Sequence, residues 1–328
     1  MSKREFYGFR GKTNALIRSY LSNRYQRVLI NNNLTNTTAF SEWGKIKHGV
    51  PQGSILGPLL FLIYINDFPN SITDPSTPIL FADDTSIIIT NSSPLQLKGD
   101  TNNLIDDINT WFRCNLLLLN FDKTYFLLFK NKNSYELDIK ISCDNKLVTR
   151  TKNVKFLGLY VDSSMSWKTH IEQMKCKLNR ACYAIRYVKH FMSQDILRTI
   201  YFSYFHSILS YGIIFWGNSV HSSNIFKIQK KAIRIIMNAS NRDSCRQLFK
   251  ILNILPLKSQ YIFSLLLFVA KNRDLYELNS EIHNVNTRYS SDLHTPMANL
   301  ATFQKGPYYF GIKYSTIFPL ASKNYLMT

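Results

Sequence analysis

The amino-acid sequence predicts an α+β fold, within the broad α/β class, in which an antiparallel sheet is followed by a helical region. The chain has 328 residues, of which 45% are hydrophobic, enough for one large or two ordinary domains that each bury a core. Stretches of β-forming residues bounded by turn residues recur up to residue 162. Beyond it, large apolar residues recur at helical spacing, so we place a domain boundary near residue 163.

The first elements alternate between helical and extended patterns. Apolar residues at helical spacing predict a helix at residues 15–21. A strand is predicted at residues 26–30, followed by a polar turn at 31–33. Residues 43–46 are predicted to return as the partner of that strand.

A loop rich in glycine and proline comes next, at residues 49–58. It is predicted to open an apolar helix at 59–65, with Pro58 in the first helical turn. Residues 79–90 are β-forming on both sides of two aspartates, which predicts a hairpin with the acids at its tip. Apolar residues at helical spacing from 104 to 112 then predict a helix packed across a sheet.

Strand signals resume before the helical region. They cover residues 125–129, 137–141 and 154–161, with a turn predicted at Asp144-Asn145 between the last two. The apolar stretch at 200–216 contains His206 and is shorter than the ~20 residues of a membrane span, so we interpret it as a buried helix and expect no membrane association. Residues beyond Asn279 show no sustained period and are predicted to be loosely packed or linker-like.

The charge of the chain indicates a polyanionic partner. Lys and Arg number 40 against 21 Asp and Glu, which gives a formal net charge of +19 and a pI of about 9.7. Such an excess favours association with phosphate backbones through counterion release. A ribosomal or membrane-surface protein would carry a similar charge.

The cysteines predict neither a zinc site nor a secreted protein. They are scattered, with no paired C-x-x-C spacing and no His at zinc-ligand distance. The N-terminal residues lack the apolar segment of a signal peptide. We therefore expect reduced thiols and an intracellular location, in the cytoplasm, the nucleus or both. The five cysteines are Cys114, Cys143, Cys176, Cys182 and Cys245.

Asp83 and Asp84 are the strongest indication of chemistry. Two adjacent carboxylates between apolar strands are costly to hold together unless a cation compensates them. Oxygen ligands favour Mg²⁺ or Mn²⁺, which take part of their shell from water and substrate phosphates. The alternative is a solvated Asp-Asp turn without a metal.

Three blocks in a fixed order carry a resemblance to a known family. They are Gly49 to Phe61 (GVPQGSILGPLLF), Tyr64 to Asp67 (YIND) and Phe81 to Thr85 (FADDT). In this order they resemble motifs B and C of the reverse transcriptases of jockey-like and CR1-like non-LTR retrotransposons. Later residues resemble motifs D and E and the thumb of these enzymes: Trp111, Asn115, Leu119-Asn120, Lys123-Thr124, Phe156-Leu157-Gly158, Trp167, His170-Ile171, Tyr211-Gly212, Trp216-Gly217 and Ile228-Gln229-Lys230.

The resemblance implies a right-hand polymerase fold and an RNA-directed DNA polymerase activity. Residues 1–162 would form partial fingers and a palm with an antiparallel sheet, residues 163–240 a helical thumb-like region, and 241–328 a C-terminal extension. The implied partners are an RNA template, a DNA primer and deoxynucleoside triphosphates, with Mg²⁺ or Mn²⁺ as the cofactor. A group II intron maturase is the less favoured relative, because it would carry a Tyr-x-Asp-Asp turn.

The resemblance also implies roles for individual residues. Asp83 and Asp84 would hold the catalytic metal ions, with Asp83 the more direct ligand. Pro51, Gln52 and Gly53 would form the wall beside the incoming nucleotide. Lys123 would donate a proton to the departing pyrophosphate, or at least place a positive charge near it. Phe156, Leu157 and Gly158 would form the primer grip. As residue types alone, the last three are also typical of a core, and Lys123 of a solvated strand end.

A basic helix in the second half is the candidate contact for template and primer. Lys227, Lys230, Lys231 and Arg234 fall at helical spacing on one face, with apolar residues towards the other. Further cations on the preceding helix support phosphate binding. A solvated basic face is the simpler alternative.

One part of the family pattern has no match in the chain. Members carry a further aspartate, in motif A, on a strand that precedes the segment resembling residues 5–11. We therefore expect the chain by itself to be inactive or nearly so, because a two-metal site that lacks a bridging carboxylate loses metal affinity. The alternative function is a catalytically inactive, nucleic-acid-binding remnant of such an element.

Overall fold

The structure is a computed structural model that describes residues 3–32, 36–129, 139–143, 146–283 and 288–318. The described residues form two compact units. The first comprises residues 3–124 and 139–149, and the second residues 125–129 and 150–318.

The secondary structure follows the predicted order of a mixed region and then a helical one. Up to residue 147 the elements are α1 (Lys3–Phe6), α2 (Gly11–Leu21), β1 (Arg24–Gln26), β2 (Leu29–Asn32), β3 (Thr37–Phe40), β4 (Gly44–Ile46), α3 (Leu56–Ile65), β5 (Ser76–Phe81), β6 (Asp84–Ile89), α4 (Pro94–Cys114), β7 (Tyr125–Phe126), β8 (Ser142–Cys143) and β9 (Lys146–Leu147). From residue 149 they are β10 (Thr149–Arg150), β11 (Asn153–Phe156), β12 (Leu159–Asp162), α5 (Lys168–Val188), α6 (Gln194–Ile200), a π-helical turn (Tyr201–His206), α7 (Ser207–Ser210), α8 (Ile213–Trp216), α9 (Ser222–Ile236), α10 (Cys245–Ile251), α11 (Leu257–Lys271), α12 (Asn279–His283), α13 (Ala301–Gln304) and α14 (Pro307–Ile317).

Strand pairing is antiparallel as predicted, but the strands form separate pairs. In the described part of the first unit, the pairs are β1 with β4, β2 with β3, β5 with β6 and β8 with β9. The predicted return strand near residue 43 is confirmed as β4. The single strand predicted at 26–30 is wrong, because the chain leaves the extended pairing at Arg27-Val28 and β2 pairs with an unpredicted strand.

Other strand predictions are confirmed only in part. The stretch predicted at 125–129 pairs only as β7, and residues 139–141 lie outside any strand. The turn predicted at 31–33 is wrong for Asn31 and Asn32, which belong to β2. Residues 33, 137–138 and the Asp144-Asn145 turn lie outside the described residues. The stretch at 154–161 is two strands, β11 and β12, joined by a tight turn.

The core of the first unit forms on the apolar face of α4. Leu104, Ile108 and Trp111 recur at helical spacing and are buried there. The ring of Phe68, which is fully buried, lies edge-on to Trp111 with centroids 4.9 Å apart. The ammonium group of Lys3 donates a hydrogen bond of 2.8 Å to the carboxylate of Asp67, the residue before Phe68. This contact ties α1 to the segment that carries Phe68. α4 therefore confirms the helix predicted at 104–112.

The second unit has one large apolar core shared by α5 to α11. Its fully buried members include Leu178, Tyr201, Phe205, Trp216 and Ile233. Residues after 240, such as those of α10 and α11, pack into the same core. The predicted boundary between 240 and 241 therefore falls inside this core. The second unit also includes the β11–β12 hairpin, which precedes the predicted boundary at 163.

The apolar stretch at 200–216 is helical, as predicted, but it is only partly buried, since Tyr204, Tyr211 and Phe215 are exposed, and the helix is not continuous. It begins with the π-helical turn and breaks at Tyr211-Gly212. Gly212 has a φ of +58°, and a Cβ there would lie 2.8 Å from Leu159. Glycine is therefore required by both the backbone angle and the close approach. Among the described helices, none combines the length and the apolar character that crossing a bilayer requires.

The predicted loose packing of the tail is wrong for the last described helix. α14 packs against α11, and a Cβ on Gly311 would lie 2.7 Å from Val269. The rings of Tyr276 and Tyr308 stack at 4.9 Å with an interplanar angle of 6°. Ile312 is fully buried. Sequence periodicity missed this helix because its contacts come from small and aromatic residues that are distant in the chain.

Candidate active site

Asp83 and Asp84 lie at the tip of a two-stranded hairpin, as the sequence predicts. β5 and β6 pair so that Phe81 opposes Asp84, which leaves a turn of two residues, Ala82 and Asp83. Ala82 has a φ of +51°, an unusual angle for a residue with a Cβ. The tight turn therefore projects two successive carboxylates from the end of the hairpin, at the cost of local backbone strain.

Both carboxylates are available to a ligand. Asp83 and Asp84 are exposed, and among the described residues neither forms an ion pair. Two oxygen-donor groups fit a divalent cation that takes its remaining ligands from water or phosphate. No third His, Cys, Asp or Glu side chain joins them into a metal-binding group within the part of the chain that the structure describes. The turn therefore offers part of a coordination shell.

The Pro51-Gln52-Gly53 segment forms an exposed turn. The amide of Ser54 donates to the Pro51 carbonyl at 3.3 Å, which closes the turn. Gly53 has a φ of +82°, and a Cβ there would meet no atom within 4 Å. The backbone angle alone therefore requires glycine, and the open space beside it leaves the main chain accessible to a ligand.

Ser54 and Gly57 connect this turn to α3. The hydroxyl oxygen of Ser54 accepts a hydrogen bond from the Gly57 amide at 3.1 Å, which satisfies a free donor in the first helical turn. A Cβ on Gly57 would lie 2.9 Å from that same oxygen. The predicted loop-to-helix transition is confirmed, with Pro58 in the first turn and α3 beginning three residues earlier than predicted, at Leu56 instead of residue 59.

Lys123 ends a short 3-10 turn, Phe121–Lys123, and is exposed. Its amide donates to the Asn120 carbonyl at 3.1 Å. None of the described hydrogen bonds joins its side chain to the aspartate turn. The neighbouring motif residue Asn115 is structural, since its side-chain amide donates to the Trp111 carbonyl at 2.8 Å and its own carbonyl accepts from Tyr64.

The predicted primer grip is a hairpin turn in the second unit. Leu157 and Gly158 both have positive φ, at +44° and +86°, as a two-residue turn between β11 and β12 requires. The hydroxyl of Tyr211 donates to the Leu157 carbonyl. A Cβ on Gly158 would lie 3.2 Å from the Tyr211 ring. Tyr211 therefore fixes the tip of this turn, a contact that the sequence did not predict.

The predicted site residues are thus divided between the two units. Pro51 to Gly53, the aspartates and Lys123 belong to the first unit, and Phe156 to Gly158 belong to the second. The basic residues of α9 also belong to the second.

A comparison with protein-family models decides what the first 161 residues are. Residues 3–161 match the family described as Reverse transcriptase (RNA-dependent DNA polymerase). The matched segment contains the loop, the aspartate hairpin, Lys123 and the Leu157 turn in the order found above. The chain carries a reverse transcriptase domain.

Relatives of this reverse transcriptase domain come from transposons and other mobile elements. The probable RNA-directed DNA polymerase from transposon BS of Drosophila melanogaster is 24% identical over 232 residues, covering 67% of this chain and 25% of that protein. The RNA-directed DNA polymerase from mobile element jockey of the same species is 26% identical over 208 residues, covering 59% of this chain and 22% of that protein. The probable RNA-directed DNA polymerase from transposon X-element of the same species is 26% identical over 230 residues, covering 67% of this chain and 24% of that protein.

The chain thus spans about a quarter of the length of these relatives. The predicted membership among non-LTR retrotransposon reverse transcriptases is confirmed. No solved structure is significantly similar to the chain. The family match ends at residue 161.

Immediately after the reverse transcriptase match, Asp162 organises the start of α5. Its carboxylate accepts hydrogen bonds from the Ser164 hydroxyl at 2.5 Å, the Ser166 amide at 3.0 Å and the Trp167 amide at 2.8 Å. Burial alone would raise its pKa, but these donors outweigh burial, so the pKa lies below its usual value. Asp162 therefore orders the loop that leads into α5, and the signal available in the sequence was the run of serines after it.

His170 follows on α5 and is buried. Its Nδ1 accepts from the Tyr160 amide at 3.4 Å, which joins α5 to β12. Burial, with a smaller effect of nearby Lys177, lowers the pKa of His170 to about 4. The ring is therefore neutral near pH 7 and serves the fold.

The basic residues of α9 divide into two sets. Lys227 and Lys231 are exposed, whereas Lys230 and Arg234 are half-buried. The inner face packs against α5, where the thiol of Cys182 is buried. Burial raises the pKa of that thiol to about 11, an effect that Lys231 and Arg186 partly offset. The cations of α5 and α9 therefore lie close enough to act on one group.

Proposed function

We propose that this protein is part of an RNA-directed DNA polymerase of a non-LTR mobile element. In this proposal, Asp83 and Asp84 bind divalent ions, Mg²⁺ or Mn²⁺, at the site of nucleotidyl transfer. The observation that carries it is the strained two-residue turn, with Ala82 at a φ of +51°, which projects two exposed carboxylates within the matched family segment. An RNA template, a DNA primer and deoxynucleoside triphosphates are the proposed substrates.

The remaining site residues have complementary roles in this proposal. The first unit provides the palm, where the open backbone at Gly53 accommodates the nucleotide and Lys123 provides a positive charge for the pyrophosphate. The Leu157 turn supports the primer end, the helices of residues 163–240 act as the thumb, and residues 241–328 form a C-terminal extension. A bound divalent ion would stabilise the attacking and leaving oxygens of the transfer. We place the protein inside the cell, in the cytoplasm or the nucleus.

A second candidate function follows from the donor set. Two carboxylates at the turn supply few of the ligands that two metal ions need. We therefore propose that residues 1–328 by themselves bind nucleic acid but extend primers slowly or not at all. Loss of one shared carboxylate typically removes most transition-state stabilisation in such a site.

A metal titration distinguishes an ion-binding turn from a solvated one without requiring catalysis. Binding of Mn²⁺ to the full chain is followed by the paramagnetic resonance signal of the free ion. We expect weak binding that Asp83→Asn abolishes. Asp106→Asn is the matched control, because Asp106 is an exposed aspartate on α4 outside the turn. Equal binding by the Asp83→Asn chain and the wild type would contradict the proposal.

Primer extension on an oligo(dT)-primed RNA template tests the second candidate with the same proteins. We expect at most trace synthesis from residues 1–328. Synthesis that is robust in the wild type and in Asp106→Asn, but absent in Asp83→Asn, would instead assign full polymerase activity to this chain.

A further inference from the structure

A cationic cleft lies in the second unit, and none of the aspartate-turn residues line it. It has a volume of about 930 Å³ and is formed by α9, α10 and the segments that flank α10. Among the residues that line it, Asp243 is the one acid. We call it the α9–α10 cleft. Its five cationic residues are Lys230, Arg234, Arg242, Arg246 and Lys250.

The positive charge of the cleft is not neutralised internally. The Asp243 carboxylate accepts from the Ser240 amide at 2.7 Å, and the Asp243 carbonyl holds the guanidinium of Arg234 through two bonds of 3.0 and 2.8 Å. Arg234 is thus oriented by a neutral oxygen and keeps its charge. Within the described residues, no ion pair joins any of the five cations to a carboxylate. A concave surface of one charge sign focuses the field on an anion.

The cleft also has an apolar wall. Phe226 is half-buried and stacks on Phe249, with centroids 6.2 Å apart and planes at 22°. The ammonium group of Lys230 lies 4.9 Å from the centroid of the Phe226 ring. Leu255, which also lines the cleft, is 43% exposed beside Pro256. Aromatic and aliphatic surface next to cations is the combination that binds unpaired bases together with their phosphates.

We propose that the α9–α10 cleft binds a single-stranded polynucleotide. The phosphates follow the cations, and one or more bases pack against Phe226 and Leu255. A duplex keeps its bases stacked inside and cannot pack them against the apolar wall, so we expect a duplex to bind outside the cleft. The volume is that of a small-ligand site and suits a few nucleotides. This inference does not depend on polymerase activity at Asp83.

Binding is tested by fluorescence anisotropy on the full chain. The probes are a labelled RNA strand of about 20 nucleotides, the DNA strand of the same sequence, and the RNA duplex. The test variant is Arg242→Glu with Arg246→Glu, because both side chains are exposed and have no described side-chain partner. We expect about tenfold weaker binding of single strands, with a shallower dependence on salt, since phosphate contacts are lost. Duplex binding should change little.

Lys258→Glu with Lys271→Glu is the matched control. It makes the same change in net charge at two exposed residues of α11 that do not line the cleft. We expect its single-strand affinity to stay within about twofold of the wild type. Equal losses in both double variants would overturn the proposal, as would an unchanged affinity in the cleft variant.

The remaining comparisons identify the type of strand, and a second variant is available if the first does not fold. A similar loss of duplex binding would overturn the single-strand assignment. The cleft would then bind the phosphates of single strands and duplexes alike. Tighter binding of RNA than of DNA would assign the strand to RNA, and the reverse to DNA. If circular dichroism shows that the double variant is unfolded, Lys250→Gln, an exposed single change in the same cleft, replaces it with the same expected direction.

Discussion

The side-chain amide of Gln229 donates a hydrogen bond of 3.0 Å to the hydroxyl oxygen of Tyr201. The same nitrogen donates to the Leu255 carbonyl at 2.9 Å, and the Gln229 carbonyl oxygen accepts from the Leu257 amide at 2.9 Å. Gln229 is fully buried, and its bonds to Tyr201 and Leu257 form away from water. It joins α9 and the π-helical turn to the segment that forms the apolar wall of the α9–α10 cleft.

Replacement of Gln229 should destabilise the second unit. Gln229→Leu leaves the Leu257 amide and the Tyr201 hydroxyl without partners in a buried site, which should lower the free energy of unfolding by about 2–4 kcal/mol. Urea denaturation measures this change. Gln247→Leu, at an exposed position of α10, is the control and should cost under about 0.5 kcal/mol. Equal effects of the two substitutions would refute the role of the buried network.

Asp162→Asn should weaken the start of α5. The amide replaces one of the two acceptor oxygens that receive bonds from Ser164, Ser166 and Trp167, so we expect a loss of about 1–3 kcal/mol. Because the folded pKa of Asp162 is lowered, its contribution is complete above the unfolded value of about 3.8 and disappears as the pH falls through the folded pKa. Asp274→Asn, at an exposed residue, is the control for chemical denaturation at pH 7 and pH 3.

His170 should make stability depend on mildly acidic pH. Its folded pKa of about 4 lies below the ordinary 6.5, so the unfolded chain binds its proton first as the pH falls. Stability is therefore complete above pH 6.5 and decreases towards pH 4, by roughly 3 kcal/mol in total.

His170→Asn provides the comparison, since its side-chain oxygen can still accept from the Tyr160 amide. Burial also lowers the pKa of His206, which contributes a change of the same sign in both proteins. The measured quantity is thus the difference between wild type and variant in denaturant midpoints across this pH range. A constant difference would show that His170 does not titrate as described.

Gly158→Ala should disrupt the predicted primer-grip turn. The φ of +86° and the 3.2 Å approach of a Cβ to the Tyr211 ring together predict a loss of about 1–3 kcal/mol. Gly99→Ala is the reverse case, because this glycine lies inside α4 and the Cβ of an alanine there would meet no atom within 4 Å. This substitution should be neutral or stabilise by up to about 1 kcal/mol. Thermal unfolding separates the two, and a neutral Gly158→Ala would argue against the Tyr211 contact.

The fold could be predicted where the residues of a single segment show the spacing of a helix or a strand. The aspartate hairpin was predictable because β-forming residues flank two turn positions, and α4 because Leu104, Ile108 and Trp111 share one helical face. The tail was not, because α14 is held by Val269 and Tyr276, which are far away in the sequence.

The sequence by itself determined the identity of the domain and the position of its carboxylates. The order of the motifs and the tight turn at Asp83 are local properties of neighbouring residues, so they are readable without coordinates. Only the tertiary structure decided which cations of α9 line a cleft, that Gln229 is a buried hydrogen-bonding centre, and that Tyr211 fixes the Leu157 turn. These depend on contacts between residues tens of positions apart, whose distances follow from how the helices pack and not from the pattern of any one segment.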